Sequence, residues 1–264
     1  MNALCIYGQM RTFDTCIPTI LNYINYDKNN FDVFLFIDKN DINGFNEHNL
    51  TILKNLLGEN KIKILKYTDD MSKDEIKIET ELSEKYKIIS KNIKEYLKIK
   101  NLQTNDFVSK LYYRRHLLLG IVKEYSITNN VHYDSCVLTR FDICINDCAQ
   151  NAFDINLDEI NKTNNLFVKF DLFFHGRLDN LIKIFYFAFN YFAIYDTILQ
   201  KNEQYLKNIL NMLHNKNLGG DELYKIYCDW LCMPELNFHV YLIIQNTKFN
   251  QLFNQSTDLC FIKR

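Results

Sequence analysis

The sequence predicts an α/β protein whose sheet is mostly parallel and flanked by helices. Short apolar runs typical of buried strands occur at residues 3–7 and 32–38, and residues 62–65 alternate as a third strand would. Between them lie two segments whose apolar residues recur at three-and-four spacing, as on the buried face of a helix. This alternation of strands and helices favours parallel strands joined by crossover helices.

In the first third of the chain, the predicted strands and helices end at characteristic residues. The first strand stops at Gly8, and a helical pattern begins after the loop that follows it. The second strand is apolar between Asp32 and Asp38. The second helix ends just before Gly58, a position where glycine is common because it adopts left-handed backbone conformations.

The remainder of the chain adds further strands after a long helical middle. Residues 72–125 predict two helices separated near 103–106. No repeat or linker-like segment interrupts the chain, so we expect a single domain over residues 1–264. Strands are expected at 135–139, 166–168 and 238–244, a turn at 171–176, and helical segments at 178–199, at 206–213 and from Gly219 onward.

Composition and charge argue against several classes of protein. The formal net charge is −1, so no overall positive field would attract nucleic acid. No apolar run approaches the roughly 18 residues of a membrane span, and no signal-peptide pattern precedes the first strand. We therefore expect a cytoplasmic protein without a membrane span, whose eight cysteines are reduced thiols.

Two cysteine pairs, Cys144/Cys148 and Cys228/Cys232, leave a zinc site open as an alternative. Zinc knuckles usually place two residues between their cysteines, whereas these pairs have three. The second pair also has helical spacing, at which small apolar side chains pack well. Buried thiols are therefore the favoured interpretation.

Candidate site residues follow the predicted strands. Ligands of open parallel sheets bind beyond the carboxyl ends of the strands, so charged residues at those ends are expected to meet. Carboxylates and guanidiniums together are suited to a phosphorylated ligand with a metal ion. The residues concerned are Gly8, Gln9 and Arg11 after the first strand, Asp38 after the second, Arg140 and Asp142 after the fourth, and Asp171, His175 and Gly176 after the fifth.

The loop Gly8–Arg11 does not match either glycine-rich phosphate-binding pattern, so Rossmann dinucleotide binding and NTP hydrolysis lose their main support. Arg11 is the informative residue, because its planar fork can hold a diphosphate bidentately. The alternative is a tight turn with Arg11 facing solvent.

Arg140 and Asp142 are two residues apart at a strand end, and in an extended chain such residues point to the same side. Asp142 could then bind Mg²⁺ or Mn²⁺ while Arg140 faces the phosphates of a nucleotide-sugar. The alternative is an ion pair between the two side chains.

Four further residues are candidates for catalysis or metal binding. Asp171 precedes an aromatic turn, where a raised pKa would suit general-base work or binding of sugar hydroxyls. His175 is a candidate metal ligand or, alternatively, a hydrogen-bonded structural residue. Asp221 and Glu222 open a helix, where acids commonly cap the helix, and a catalytic role is the other interpretation.

Three of these segments together resemble glycosyltransferases of the GT-A type. Residues 5–13 are similar to the opening strand and loop of WavE-type lipopolysaccharide-synthesis proteins and of glycosyltransferase domains of large DNA viruses. Residues 137–142 are similar to their Arg-x-Asp strand end, and residues 171–176 to their Asp-x-Phe-Phe turn. The three motifs occur in the family's order and span most of the chain.

The resemblance implies a GT-A-like, Rossmann-type fold, a nucleotide-diphosphate-sugar donor, a glycan or glycoprotein acceptor and Mn²⁺ or Mg²⁺. It divides the domain into a nucleotide-binding half, about 1–145, and an acceptor/sugar half, about 146–264. If the protein is viral, it would act in the host cytoplasm.

The resemblance also implies roles for the candidate residues. Asp142 inherits the metal site, and Arg140 stands where other GT-A enzymes have the first acid of Asp-x-Asp. By analogy, Gly8, Gln9 and Arg11 line the nucleotide, Asp38 its base or ribose, Asp171 the donor sugar, and Asp221 or Glu222 the acceptor.

Two alternative functions stay open at this point. A nucleotidyltransferase would also need Mg²⁺ and acids at strand ends, but its glycine-rich or paired-acid signature is missing. A non-catalytic or degenerate nucleotide-sugar-binding protein is compatible with the loss of Asp-x-Asp.

Overall fold

A computed structural model describes residues 1–40, 44–96, 107–145, 152–163, 166–169, 173–186, 189, 249–251 and 260–262. The chain forms two compact units. The first comprises Met1–Ser72, Arg114–Ile184 and Lys248–Arg264, and the second comprises Lys73–Tyr113 and Phe185–Thr247. The first unit therefore takes segments from both predicted halves of the chain, and it contains the sheet.

The described strands and helices follow the alternating order that the sequence predicts. The strands are β1 (Asn2–Gly8), β2 (Phe31–Ile37), β3 (Ile62–Tyr67), β4 (Ser135–Arg140), β5 (Ile143–Ile145), β6 (Leu166–Lys169), β7 (Phe173–Gly176), β8 (Phe249–Gln251) and β9 (Cys260–Ile262). The helices are α1 (Phe13–Tyr23), α2 (Glu47–Leu57), α3 (Lys73–Tyr96), α4 (Phe107–Thr128), α5 (Ala152–Thr163) and α6 (Leu178–Phe185).

The main sheet is mixed and mostly parallel, with the strand order β3-β2-β1-β4-β7-β6-β8. Strands β3, β2, β1 and β4 are parallel, and β7 runs antiparallel to both of its neighbours. The predicted α/β class with a mixed, mostly parallel sheet is confirmed for the described residues. A separate two-stranded sheet pairs β5 with β9.

Both faces of the central strands are buried, which explains the long apolar runs at residues 3–7 of β1 and 33–37 of β2. Leu4 and Ile6 of β1 belong to a core cluster that also contains residues of α1, α2 and α5. On β2, Phe34 instead packs edge-on against Tyr125 of α4, with ring centroids 5.4 Å apart. Alternate side chains of each strand therefore enter two different cores.

Both ends of α2 are capped, and the predicted end before Gly58 is confirmed. The side chain of Asn46 accepts a hydrogen bond of 2.8 Å from the backbone N–H of Asn49, satisfying one of the first-turn donors. Gly58 follows the helix with φ of +78°, a conformation that side chains with a Cβ rarely adopt.

The segment predicted as a turn at residues 171–176 differs in the structure. Phe173–Gly176 is strand β7, which pairs antiparallel with β4 and β6. Four consecutive buried residues, with Gly176 at the end of the strand rather than in a turn, account for the difference. His175 and Gly176 consequently lie opposite Val137 and Cys136, away from the carboxyl end of β4.

The second unit contains α3 and the first residues of α4, and α4 belongs to the first unit from Arg114 onward. The two helices predicted for the middle of the chain are present as α3 and α4, and residues 97–106 between them lie outside the described residues. Tyr113 packs edge-on against Phe189 with ring centroids 5.9 Å apart. The predicted strand at 238–244 and the helical segments at 206–213 and from Gly219 also lie outside the described residues.

Candidate functional site

The strand order reverses beside β1. The chain passes from β1 to β2 and β3 on one side and then returns to place β4 on the other side. Open α/β sheets bind ligands beyond the carboxyl ends of the strands at such a reversal. Tyr7 is in register with Arg140, and Gly8 with Ile37. Residues directly after β1, β2 and β4 therefore meet at one edge of the sheet.

The loop after β1 is built to expose polar side chains at this edge. Gly8 has φ of +107°, and a Cβ there would meet no atom within 4 Å, so the demand for glycine is conformational rather than steric. Its carbonyl accepts a 2.9 Å hydrogen bond from the backbone N–H of Asp38. Met10 is fully buried, whereas Arg11 is exposed and its guanidinium contacts the side-chain oxygen of Gln9. Buried Met10 thus anchors a loop whose flanking side chains are polar.

Arg140 and Asp142 form a bidentate ion pair where β4 ends. Arg140 Nε donates to Asp142 Oδ1 at 2.8 Å, and Nη2 donates to Oδ2 at 2.5 Å. The intervening Phe141 is fully buried, which turns its two charged neighbours outward. The two charged side chains are 22% and 11% exposed, so the pair lies at the surface of the site. The ion-pair alternative raised by the sequence is the arrangement observed.

Asp38 is held by Arg114 of α4. Arg114 Nη1 donates to Asp38 Oδ2 at 2.9 Å, and the backbone N–H of Asn40 donates to Oδ1 at 3.1 Å. Both side chains of the ion pair are largely buried. This arrangement fixes the carboxylate directly beyond β2, and its predicted contact with a base or ribose stays a prediction.

A second arginine of α4 lies beneath the site. Arg115 is fully buried, its Nε donates to the hydroxyl of Tyr7, and its guanidinium carbon lies 4.9 Å from the Tyr7 ring and 5.3 Å from the Phe174 ring. Aromatic faces stabilise a cation electrostatically. A guanidinium therefore adds fixed positive charge next to the last residues of β1.

Arginine side chains lie near the ends of β1 and β4, although the whole chain has a formal charge of −1. Arg11 follows β1, Arg140 ends β4, and Arg115 bonds to Tyr7 of β1. Guanidiniums beside these two strand ends favour an anionic ligand there. Carboxylates lie at the same edge as well: Asp38 and Asp142 in ion pairs with arginines, and Asp69 and Asp70 after β3.

Two pairs of buried thiols flank the central strands. The Sγ atoms of Cys16 and Cys144 are 2.9 Å apart, and those of Cys5 and Cys136 are 3.5 Å apart. All four are free and buried, which agrees with the expectation of buried thiols. Burial, reinforced by the neighbouring Cys144, raises the pKa of Cys16 to about 12. Cys148, Cys228 and Cys232, which the zinc alternative requires, lie outside the described residues.

His175 is placed apart from Asp142. It is fully buried on β7, stacked on Phe153 with ring centroids 4.5 Å apart, and its Nε2 lies 3.3 Å from the Ser135 hydroxyl. Its strand partner Val137 is three residues before Arg140, which corresponds to roughly 10 Å along a strand. The structure therefore does not bring together the two residues that the sequence suggested as metal ligands.

Three predicted catalytic residues, Asp171, Asp221 and Glu222, lie outside the described residues. Conversely, sequence reasoning assigned no role to Arg114 and Arg115. A signal for them was present, because two adjacent arginines interrupt the otherwise apolar and aromatic segment 111–119. Charges in such a segment have to be paired when the helix is buried.

A cavity of about 220 Å³ lies at the opposite edge of the sheet, and Lys123, Asp134 and Arg177 are among its lining residues. Its charges are compensated by close pairing. Lys123 Nζ lies 2.8 Å from Asp179 Oδ1, and the amino-terminal nitrogen lies 2.5 Å from Asp134 Oδ2. The reversal of strand order distinguishes the carboxyl edge from this cavity.

No protein-family model matches the chain, and no curated protein matches it significantly. In the part of the chain that the structure describes, the helices lack the combination of length and apolar character needed to cross a bilayer.

Proposed function

We propose that the protein is a GT-A-type glycosyltransferase that transfers a sugar from a nucleotide-diphosphate sugar to a glycan or protein-linked acceptor. One observation carries the proposal: the Gly8–Arg11 loop and the Arg140–Asp142 pair lie at the same edge of the sheet, on either side of the reversal in strand order. This is where α/β sheets bind nucleotides.

The chemistry of the edge supports a diphosphate ligand. Arg11 and Arg140 offer planar, permanently charged forks, which match phosphate oxygens better than single ammonium groups do. Arg114 and Arg115 add positive charge from α4. Glycine at position 8 lets the backbone turn sharply beside the site. Gly8, Arg11 and Arg140 lie within the sequence motifs that resemble glycosyltransferases.

The divalent cation implied by the resemblance does not fit the described residues as they stand. Both carboxylate oxygens of Asp142 accept hydrogen bonds from Arg140. Within the described ranges, no three His, Cys, Asp or Glu side chains converge as a metal site. The proposed binding mode therefore uses no metal ion, and dependence on Mn²⁺ or Mg²⁺ stays a prediction of the sequence resemblance.

A non-catalytic nucleotide-sugar-binding protein is the second candidate. The observation that favours it is the same ion pair, because Arg140 replaces an acid that GT-A enzymes would use and neutralises Asp142. Such a protein would keep the diphosphate contacts and lack turnover. The nucleotidyltransferase alternative has no comparable observation in its favour.

Thermal-shift measurements with UDP-, GDP- and dTDP-sugars, each with and without Mn²⁺, test the proposal. Stabilisation by a nucleoside diphosphate or its sugar, and not by the matching nucleoside, is expected because the phosphates make the main contacts. Detection of free sugar or of a glycosylated acceptor by mass spectrometry then separates an enzyme from a binder. If no nucleoside diphosphate stabilises the protein under either condition, the proposal is wrong.

A further inference from the structure

We infer that Arg140, held by Asp142, takes the place of the divalent cation, so that the diphosphate of the donor binds without a metal. This inference rests on the proposed function and specifies how the same site would compensate the charge of its ligand. It assigns Arg140 to direct contact with the diphosphate and Asp142 to positioning of the guanidinium.

Both carboxylate oxygens of Asp142 are already occupied by the Arg140 guanidinium. The two hydrogen bonds of 2.8 and 2.5 Å use both oxygens of Asp142 and two nitrogens of Arg140. Bidentate pairs of this kind are among the strongest and most directional polar contacts in proteins. A dication on Asp142 would have to displace this contact and would leave the Arg140 guanidinium beside a second positive centre. The carboxylate is therefore a poor cation ligand in this arrangement.

Arg140 lies where a ligand beyond the strand ends can contact it. It is the last residue of β4, in register with Tyr7, which directly precedes Gly8. About a fifth of its side chain is exposed, at 22%, so a ligand beyond the strand end can reach it. Arg11 follows the neighbouring strand β1 at the same edge. Two guanidiniums can hold a diphosphate bidentately.

Further arginines near the Arg140–Asp142 pair can compensate the charge of a diphosphate. Asp142 neutralises part of the charge of Arg140, so the pair alone would compensate a diphosphate poorly. The fully buried Arg115, bonded to the Tyr7 hydroxyl, supplies further positive charge next to the last residues of β1. Arg11, which follows β1, is a further guanidinium at the same edge, so the arginines beside β1 and β4 supply the charge that a metal ion would otherwise have to provide.

The test compares binding of UDP, GDP and dTDP to the full chain by calorimetry, in EDTA and in Mn²⁺. We expect at least one of them to bind equally well in both buffers, within about threefold. Its affinity should fall as ionic strength rises, because the contacts are charged. Binding that appears only with Mn²⁺ would overturn the inference and leave the proposed function standing. Absence of binding in both buffers would overturn both.

Substitutions test which side chains bind the diphosphate. Arg140→Met keeps a side chain of similar length without charge and should weaken diphosphate binding at least about tenfold. Asp142→Asn should weaken it less, and the remaining binding should still be insensitive to EDTA. Arg177→Met is the matched control, since Arg177 follows β7 at the opposite edge of the sheet and donates to the Asn161 carbonyl. Equal loss in the Arg140 and Arg177 variants, or EDTA-sensitive binding in Asp142→Asn, would contradict the assignment. Far-UV circular dichroism confirms folding of each variant.

Discussion

Replacing His175 with phenylalanine should flatten the dependence of stability on pH below neutrality. The imidazole is fully buried, packed flat against Phe153, and 3.3 Å from the Ser135 hydroxyl. Burial lowers its pKa from 6.5 to about 3 because the charged form loses its hydration. The side chain therefore stays neutral in the folded protein at pH values where it is charged in the unfolded chain.

The sign and size of the effect follow from proton linkage. Between pH 6.5 and 3 the unfolded state binds more protons at this residue than the folded state, so the free energy of unfolding falls as pH falls. The His175 contribution is fully present above the unfolded pKa and is lost progressively below it. From pH 6.5 to 4 the loss is about 3 kcal/mol, a large share of the roughly 5–15 kcal/mol that stabilises a typical domain.

The assay is urea unfolding at several pH values, followed by circular dichroism. His175→Phe removes the titrating group and keeps a flat ring against Phe153, and Ser135 retains its 3.0 Å hydrogen bond to Asn2. The control for loss of a histidine at the surface is His132→Gln, because the His132 side chain is 89% exposed. Burial lowers the pKa of His116 as well, so some pH dependence should remain in the variant.

The absolute stability of His175→Phe is not the decisive quantity, since repacking can change it at every pH. The decisive quantity is the slope of the free energy of unfolding against pH. If the variant and the wild type lose stability in parallel between pH 6.5 and 4, His175 does not titrate as argued, and its placement in the core is wrong.

The remaining predictions concern the site and its surroundings. Arg11→Ala should weaken nucleoside-diphosphate binding by about 1.5–3 kcal/mol, measured by calorimetry, and unchanged affinity in a folded variant would remove Arg11 from the site. Asp171→Asn should lower turnover by about 10²-fold or more with little change in nucleotide affinity, and near-normal transfer would reassign the catalytic role. Cys16 and Cys144, whose Sγ atoms are 2.9 Å apart, should resist diamide in the folded protein, because burial raises the pKa of Cys16 to about 12 and the thiolate is the reactive form. Peptide mapping without reductant checks this, and modification as fast as in the urea-unfolded protein would contradict the burial of the two thiols.

The central part of the fold follows from local sequence patterns. The apolar runs of β1 and β2 and the capped helix α2 were predictable because burial, periodicity and terminal residues all indicated the same element. Strand β7 was not, because its four residues, Phe173–Gly176, carry no alternation and end in glycine. Its strand character depends on antiparallel pairing with β4 and β6, and a four-residue sequence pattern does not specify such pairing.

The candidate site was predictable only in part, for a similar reason. Gly8, Asp38 and Arg140 follow strands, so their common edge could be inferred once the strands were assumed parallel. The roles of Arg114 and Arg115 depend on how α4 packs against the sheet, and helix periodicity does not specify that. The choice between metal binding and ion pairing at Asp142 was left open by the sequence, and the side-chain geometry shows the pair.

A crystal structure of the protein with a bound nucleoside diphosphate would test the central claim most directly. The proposed function predicts that the diphosphate lies beyond the carboxyl ends of β1 and β4, contacted by the Gly8–Arg11 loop and by the Arg140 guanidinium. A nucleotide bound instead in the cavity lined by Lys123 and Arg177 at the opposite edge of the sheet would contradict the account.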